Sequence, residues 1–79
     1  MYILGDIGNS ETKVFLVSTN GKILKRINFL SKNINHKILN LKFKHIDKDF
    51  NKIKKILFCS VVPNTFDLLK KYLSKKTKI

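Results

Sequence analysis

The sequence predicts an α/β domain: a mixed sheet built in the order β-β-β-α-β-α, with helices packed on it. Two short runs, Tyr2-Ile3-Leu4 and residues 56–62, carry no charge and have the continuous apolarity of strands buried on both faces. Between them, two alternating segments meet at Asn20-Gly21, the dipeptide best suited to a tight hairpin. The other apolar residues fall at helical spacing, in one stretch before the second run and one after it.

Taken in order, the first run is a short buried strand that reaches Asp6 almost at once. Residues 12–19 alternate, with Val14, Leu16 and Ser18 on one side and Lys13, Phe15 and Val17 on the other. Asn20-Gly21 then predicts a two-residue hairpin loop, since both residues tolerate positive φ. Residues 22–30 resume as a strand, with Ile23, Ile27 and Phe29 opposite the charged Arg26. From residue 31 the period changes. Ile34, Ile38 and Leu41, with Leu39 beside them, make a helical stripe that Ser31 or Asn33 is placed to cap. Four asparagines between 28 and 40 weaken that stripe, because Asn favours turns over helix interiors.

HIDKDFNKI, residues 45–53, reads as a polar connector anchored by Phe50 and Ile53. The run at 56–62 suits a central parallel strand, stopped by Pro63. Pro63 or Asn64 then starts a helix whose apolar face is Phe66, Leu69, Tyr72 and Leu73, with lysines opposite. The closing KKTKI offers the core nothing evident. A parallel strand needs a crossover, which the first helix supplies. A last strand so apolar calls for a neighbour on its far side. The 79 residues are therefore expected to be the front part of a larger protein, or a truncated relative of one.

Size and composition narrow the function classes. A chain of 79 residues is one domain at most and buries only ~60% of its unfolded surface. Cys59 has no partner, and His36 and His45 lack neighbouring thiols, so no zinc site or disulfide frame is indicated and both histidines are expected to face solvent. The start, Met1-Tyr2-Ile3-Leu4, lacks the basic flank of an export signal, and no stretch approaches the ~20 apolar residues of a membrane span. A cytoplasmic location without membrane partners is expected. Seventeen Lys and Arg against five acids give a net charge of +12, which would suit nucleic acid. Yet sixteen of those cations are lysines, scattered along the chain, and Arg26 stands alone. Lys, Asn and Ile make up 34 of the 79 residues, the bias of an AT-rich coding sequence. Nucleic acid is accordingly not the expected partner.

The chemistry concentrates in GDIGNSETK, residues 5–13. Asp6 closes a strand, where ligands of α/β sheets bind. Gly8 lets backbone approach a ligand, Asn9 and Ser10 add donors, and Lys13 heads the returning strand. A carboxylate repels phosphate, so Asp6 fits such a site by ordering a hydrated Mg²⁺. The same letters also make an ordinary turn, and the P-loop pattern is absent, because Ser10 stands where its second glycine belongs.

Two motifs in their order resemble the type III pantothenate kinases of the actin-hexokinase-Hsp70 superfamily. That family carries D-x-G-N-T-x-x-K after its first strand and S-S-V-V-P after a later one. Here they read Asp6-Ile7-Gly8-Asn9-Ser10-Glu11-Thr12-Lys13 and Cys59-Ser60-Val61-Val62-Pro63. The resemblance spans essentially the whole chain. It implies a ribonuclease H-like, actin-like ATPase half-domain, incomplete, occupying residues 1–79. It further implies ATP-dependent phosphorylation of pantothenate to 4′-phosphopantothenate, the first step of coenzyme A biosynthesis. Residues 6–13 would line the ATP phosphates, with Asp6 acting on Mg²⁺ through water. Ser10 for Thr keeps the hydroxyl, whereas Glu11 puts a second carboxylate beside phosphate. The family's catalytic base, in a G-x-D-R segment, and its site for a monovalent cation, K⁺ or NH₄⁺, have no counterpart in these residues. Asp47, Asp49 and Asp67 match neither context. The chain alone is thus expected to be inactive, within a protein that forms a homodimer. The alternatives are a non-catalytic transcriptional accessory relative of the same fold and a small basic nucleic-acid-binding domain.

Overall fold

Alternation puts one face of each strand against the helices, and the hairpin and crossover set their order. The computed structural model describes residues 1–60 and 62–77. Its strands are β1 (Tyr2–Ile7), β2 (Glu11–Val17), β3 (Ile23–Leu30) and β4 (Lys55–Ser60). Helix α1 (His36–Lys42) lies between β3 and β4, flanked by 3-10 segments at Ser31–Asn33 and Lys44–Lys52, and α2 (Pro63–Thr77) follows β4. The sheet order is β3-β2-β1-β4. β1 is antiparallel to β2, β2 is antiparallel to β3, and β4 runs parallel to β1. The mixed sheet, the element order and the crossover are those the sequence predicts. Val61, Lys78 and Ile79, parts of the second apolar run and of the closing tail, lie outside the described residues.

One face of the sheet carries the core. Ile3 and Ile7 of β1, Val14 and Leu16 of β2, and Ile27 and Phe29 of β3 are buried at alternate positions. Leu39 of α1, then Phe43, Ile46 and Phe50, and finally Leu69, Tyr72 and Leu73 of α2 cover them. The other face is open, which corrects the expectation of strands buried on both sides. Leu4 is partly exposed, and Leu57 of β4 is 55% exposed. β4 is an edge strand rather than a central one, and past Lys55 its residues Ile56-Leu57-Phe58-Cys59 are uncharged. The opposite edge, β3, carries Lys25 and Arg26 and shares an irregular register with β2 between Leu16 and Val17.

Local differences from the sequence reading have local causes. The β2–β3 turn uses three residues, not two. Ser18 N donates to Lys22 O at 2.9 Å, Gly21 N donates to Ser18 O at 3.0 Å, and Gly21 takes φ +88°. This is a three-residue loop closed by a left-handed glycine, so the glycine signal is right and the loop length is not. The Ser18 hydroxyl, held by Asn20, also accepts from Lys22 N at 3.1 Å. The shifted register beyond that turn leaves Ile23 exposed rather than in the core. Asn35, not Ser31 or Asn33, caps α1, accepting from Ile38 N at 2.9 Å. Leu39 is buried while Leu41 is 64% exposed, so the covered face of α1 leaves Leu41 out. The connector at 44–52 is a 3-10 segment, with Ile46 and Phe50 buried as anchors and Ile53 buried after it. α2 continues to Thr77, which is buried with its hydroxyl donating to Leu73 O at 2.7 Å. Part of KKTKI therefore serves the core after all.

Two packing details make predictions. Gly5 faces the Phe58 ring across the β1/β4 pair, and a Cβ there would sit 1.8 Å from Phe58 Cε1. Phe58 is itself set edge-on to Phe66, with centroids 6.1 Å apart. Gly5→Ala is expected to lower stability by about 1–3 kcal/mol in urea unfolding. Adding Phe58→Ala should recover part of that loss, and strict additivity would remove the steric explanation. Tyr72 donates to Asn40 Oδ1 at 3.1 Å, and burial, then the Asp47 carboxylate, push its phenol above the ordinary value of 10.0. A raised phenol pKa stabilises the fold fully below the unfolded value, and the contribution is lost as pH rises through the folded one. Tyr72→Phe should therefore flatten the decline in urea midpoint above about pH 10. An unchanged alkaline decline would assign it to other groups.

Candidate functional site

The β1–β2 hairpin turns through Asn9 and Ser10. Ile7 and Thr12 form the last strand pair, and Gly8 N donates to Glu11 O at 3.0 Å. A Cβ on Gly8 would lie 3.2 Å from that same carbonyl, so glycine relieves a tight approach. Among the described residues, the backbone N–H groups of Asn9 and Ser10 donate to no protein acceptor. Their side chains are exposed.

Ser31 holds this turn from below. Its hydroxyl donates to Gly8 O at 2.6 Å, and its N–H donates to Ser10 O at 3.0 Å. The Thr12 hydroxyl lies 2.8 Å from Ser31 Oγ. Because the one Ser31 hydroxyl proton is committed to Gly8 O, Thr12 is the donor in that contact. Thr65, in the first turn of α2, donates to Ser31 O at 3.5 Å. All three hydroxyl residues are buried, Thr12 completely. The sequence reading treated Ser31 only as a possible helix cap. A hydroxyl residue immediately after a strand gives no sign of which distant turn it will meet.

Parallel pairing brings the two sequence motifs together. Asp6 is the register partner of Lys13 on one side and of Cys59 on the other, and Ile7 is the partner of Ser60. Asn28, Lys13, Asp6 and Cys59 thus form an exposed row across the open face. Ser60 Oγ accepts from Val62 N at 3.1 Å and contacts Val62 O at 3.2 Å, shaping the entry to α2. Of residues 6–13, Asp6, Asn9, Ser10, Glu11 and Lys13 are exposed and Gly8 is half-buried. Ile7 and Thr12 point into the core, leaving only their backbones near the loop surface.

Asp47 pairs with Lys76 at 3.7 Å and Asp49 with Lys52 at 4.0 Å, while Asp67 lies on α2. His36 is exposed, with its ring edge-on to Tyr72 at 5.5 Å, and His45 is exposed too. Cys59 is an exposed free thiol. Among the described residues no three His, Cys, Asp or Glu side chains converge as a metal cage. No helix of these residues is long and apolar enough to cross a membrane. A surface hollow of about 730 Å³ beside β3, lined by Lys25, Arg26, Lys42 and His45 among others, includes none of residues 6–13.

One curated protein of Pelagibacter ubique (strain HTCC1062) is 46% identical to the chain over all 79 residues. It is a type III pantothenate kinase. The match takes in both motifs, since it covers 100% of the chain, but only 32% of the kinase. The chain thus spans about a third of the type III pantothenate kinase it matches. No family model matches the chain.

The hydroxyl pair under the turn carries a stability prediction. Thr12→Val keeps the shape but removes the donor to Ser31, and is expected to cost about 1–2 kcal/mol in urea unfolding. A neutral result would mean that the buried pair contributes nothing beyond its packing.

Proposed function

We propose that this chain supplies the ATP-phosphate loop of a type III pantothenate kinase, with the ribonuclease H-like, actin-like ATPase fold of that family. The reaction is phosphoryl transfer from ATP to pantothenate, giving 4′-phosphopantothenate on the way to coenzyme A. The 46% identity over every residue of the chain carries this reading. The arrangement of the loop supports it. Acid and base stand as neighbours on β1 and β2, and beyond them is a turn with two uncommitted backbone donors.

Four of the exposed residues, Asp6, Asn9, Ser10 and Lys13, then have a task. Asn9 and Ser10 donate to phosphate oxygens through side chain and backbone, and Lys13 neutralises their charge. Asp6 holds a hydrated Mg²⁺ through water. One carboxylate suits magnesium, which keeps most of its positions for water and phosphate rather than a protein cage. Magnesium bound there would offset the charge that develops on the transferred phosphoryl group. Ile7 and Thr12 contribute from beneath, by fixing the strand ends. Glu11 lies on the open face two residues from Lys13, exposed to solvent. Asp47 and Asp49 are tied to lysines, and Asp67 lies on α2. The base that activates pantothenate, the segment that grips it and the monovalent-cation site are therefore assigned to the portion of the enzyme without a counterpart here.

Within a full-length enzyme carrying this segment, Asp6→Asn is expected to lower kcat by roughly 100-fold or more. Lys13→Ala should chiefly raise the KM for ATP. Steady-state kinetics with varied ATP and Mg²⁺ test both. Kinetics unchanged by Asp6→Asn would return the loop to the class of ordinary turns.

A further inference from the structure

Ser31 binds two carbonyls of the turn, those of Gly8 and Ser10, and this fixes more than the height of the loop. All peptide bonds among the described residues are trans. In a planar trans peptide, the C=O of one residue and the N–H of the next point in opposite directions. Gly8 O is drawn inward to Ser31 Oγ at 2.6 Å, so the Asn9 N–H of the same peptide unit points away from the buried serine. Ser10 O is likewise drawn inward, to Ser31 N at 3.0 Å, which removes a second carbonyl from the outer side of the turn. Carbonyl oxygens facing outward would repel an anion, whereas outward N–H groups attract one. The two inward bonds add to the Gly8 N–Glu11 O bond in selecting this orientation, since Gly8 lets its peptide planes rotate.

We infer that Ser31 is a positioning residue for anion binding at the turn. It acts through the peptide planes of Gly8–Asn9 and Ser10–Glu11, and it touches no ligand itself. Thr12 supports it by donating to Ser31 Oγ, which leaves the serine proton for Gly8 O. Thr65 ties the same residue to the first turn of α2, so the loop, the end of β3 and the entry to α2 share one buried anchor. This inference rests on the reading of the turn as a phosphate site.

The test follows backbone amide shifts of the full chain during titration with Mg·ATP, in the wild type, Ser31→Ala and Thr77→Ala. Thr77→Ala is the matched control: it also deletes a buried hydroxyl bonded to a backbone carbonyl, but far along α2. Titrations are run at a temperature where each variant is folded by circular dichroism. The wild type should show saturable shifts at Asn9 and Ser10. Ser31→Ala should bind ~10-fold more weakly, the effect of losing about one oriented hydrogen bond. Thr77→Ala should bind like the wild type. Should Ser31→Ala not fold, Ser31→Cys replaces it; its weak thiol donor in a similar volume should also lower affinity. Wild-type affinity in a folded Ser31 variant, or an equal loss in Thr77→Ala, overturns the positioning role and leaves the phosphate site standing. Absence of saturable shifts at Asn9 and Ser10 in the wild type overturns the phosphate site itself, and this role with it.

Discussion

When β4 lies parallel to β1, Asp6 stands beside Cys59 and Ile7 beside Ser60, and two segments some fifty residues apart become one end of a sheet. The rest of the architecture follows from that pairing. Parallel strands cannot be joined by a tight turn, so the chain from β3 must cross over the sheet to reach the far side of β1. The crossover carries Leu39, Phe43, Ile46 and Phe50 onto the face where β1, β2 and β3 present their alternate apolar residues. α2 then returns over the same face, and its first turn meets Ser31 at the end of β3. Core, crossover and loop anchor are thus consequences of one register.

Much of this was legible because the strongest signals were steric or periodic. Gly21 announced its turn through a conformation that side-chain-bearing residues rarely adopt, and Pro63 marked the start of α2. The alternation of Val14, Leu16, Ile27 and Phe29 fixed which faces meet the helices. What escaped depended on contacts distant in sequence. An apolar strand reads as buried on both faces whether or not a second layer exists to cover it, as Leu57 illustrates. The cap of α1 was misplaced at Ser31 or Asn33 because short polar residues recur ahead of the helix, and Asn35 takes the role. At the candidate site, exposed Asp6, Asn9, Ser10 and Lys13 could be named from the motif. The buried network of Thr12, Ser31 and Thr65 could not, since its bonds span 19 to 34 residues and leave no local pattern.

The sheet also has two unlike edges. β3 is irregular and carries Lys25 and Arg26, features that discourage a passing strand from adding to it. β4 has no such guard beyond Lys55, and its outer backbone groups border uncharged side chains. Strand addition at that edge by a second copy of these 79 residues would bring together two segments each of net charge +12. Coulomb repulsion then opposes the encounter, over a range of ~8 Å at physiological ionic strength and ~3 Å in molar salt. On these 79 residues the lysine excess would in this way oppose fibre-like association, and salt would weaken that opposition.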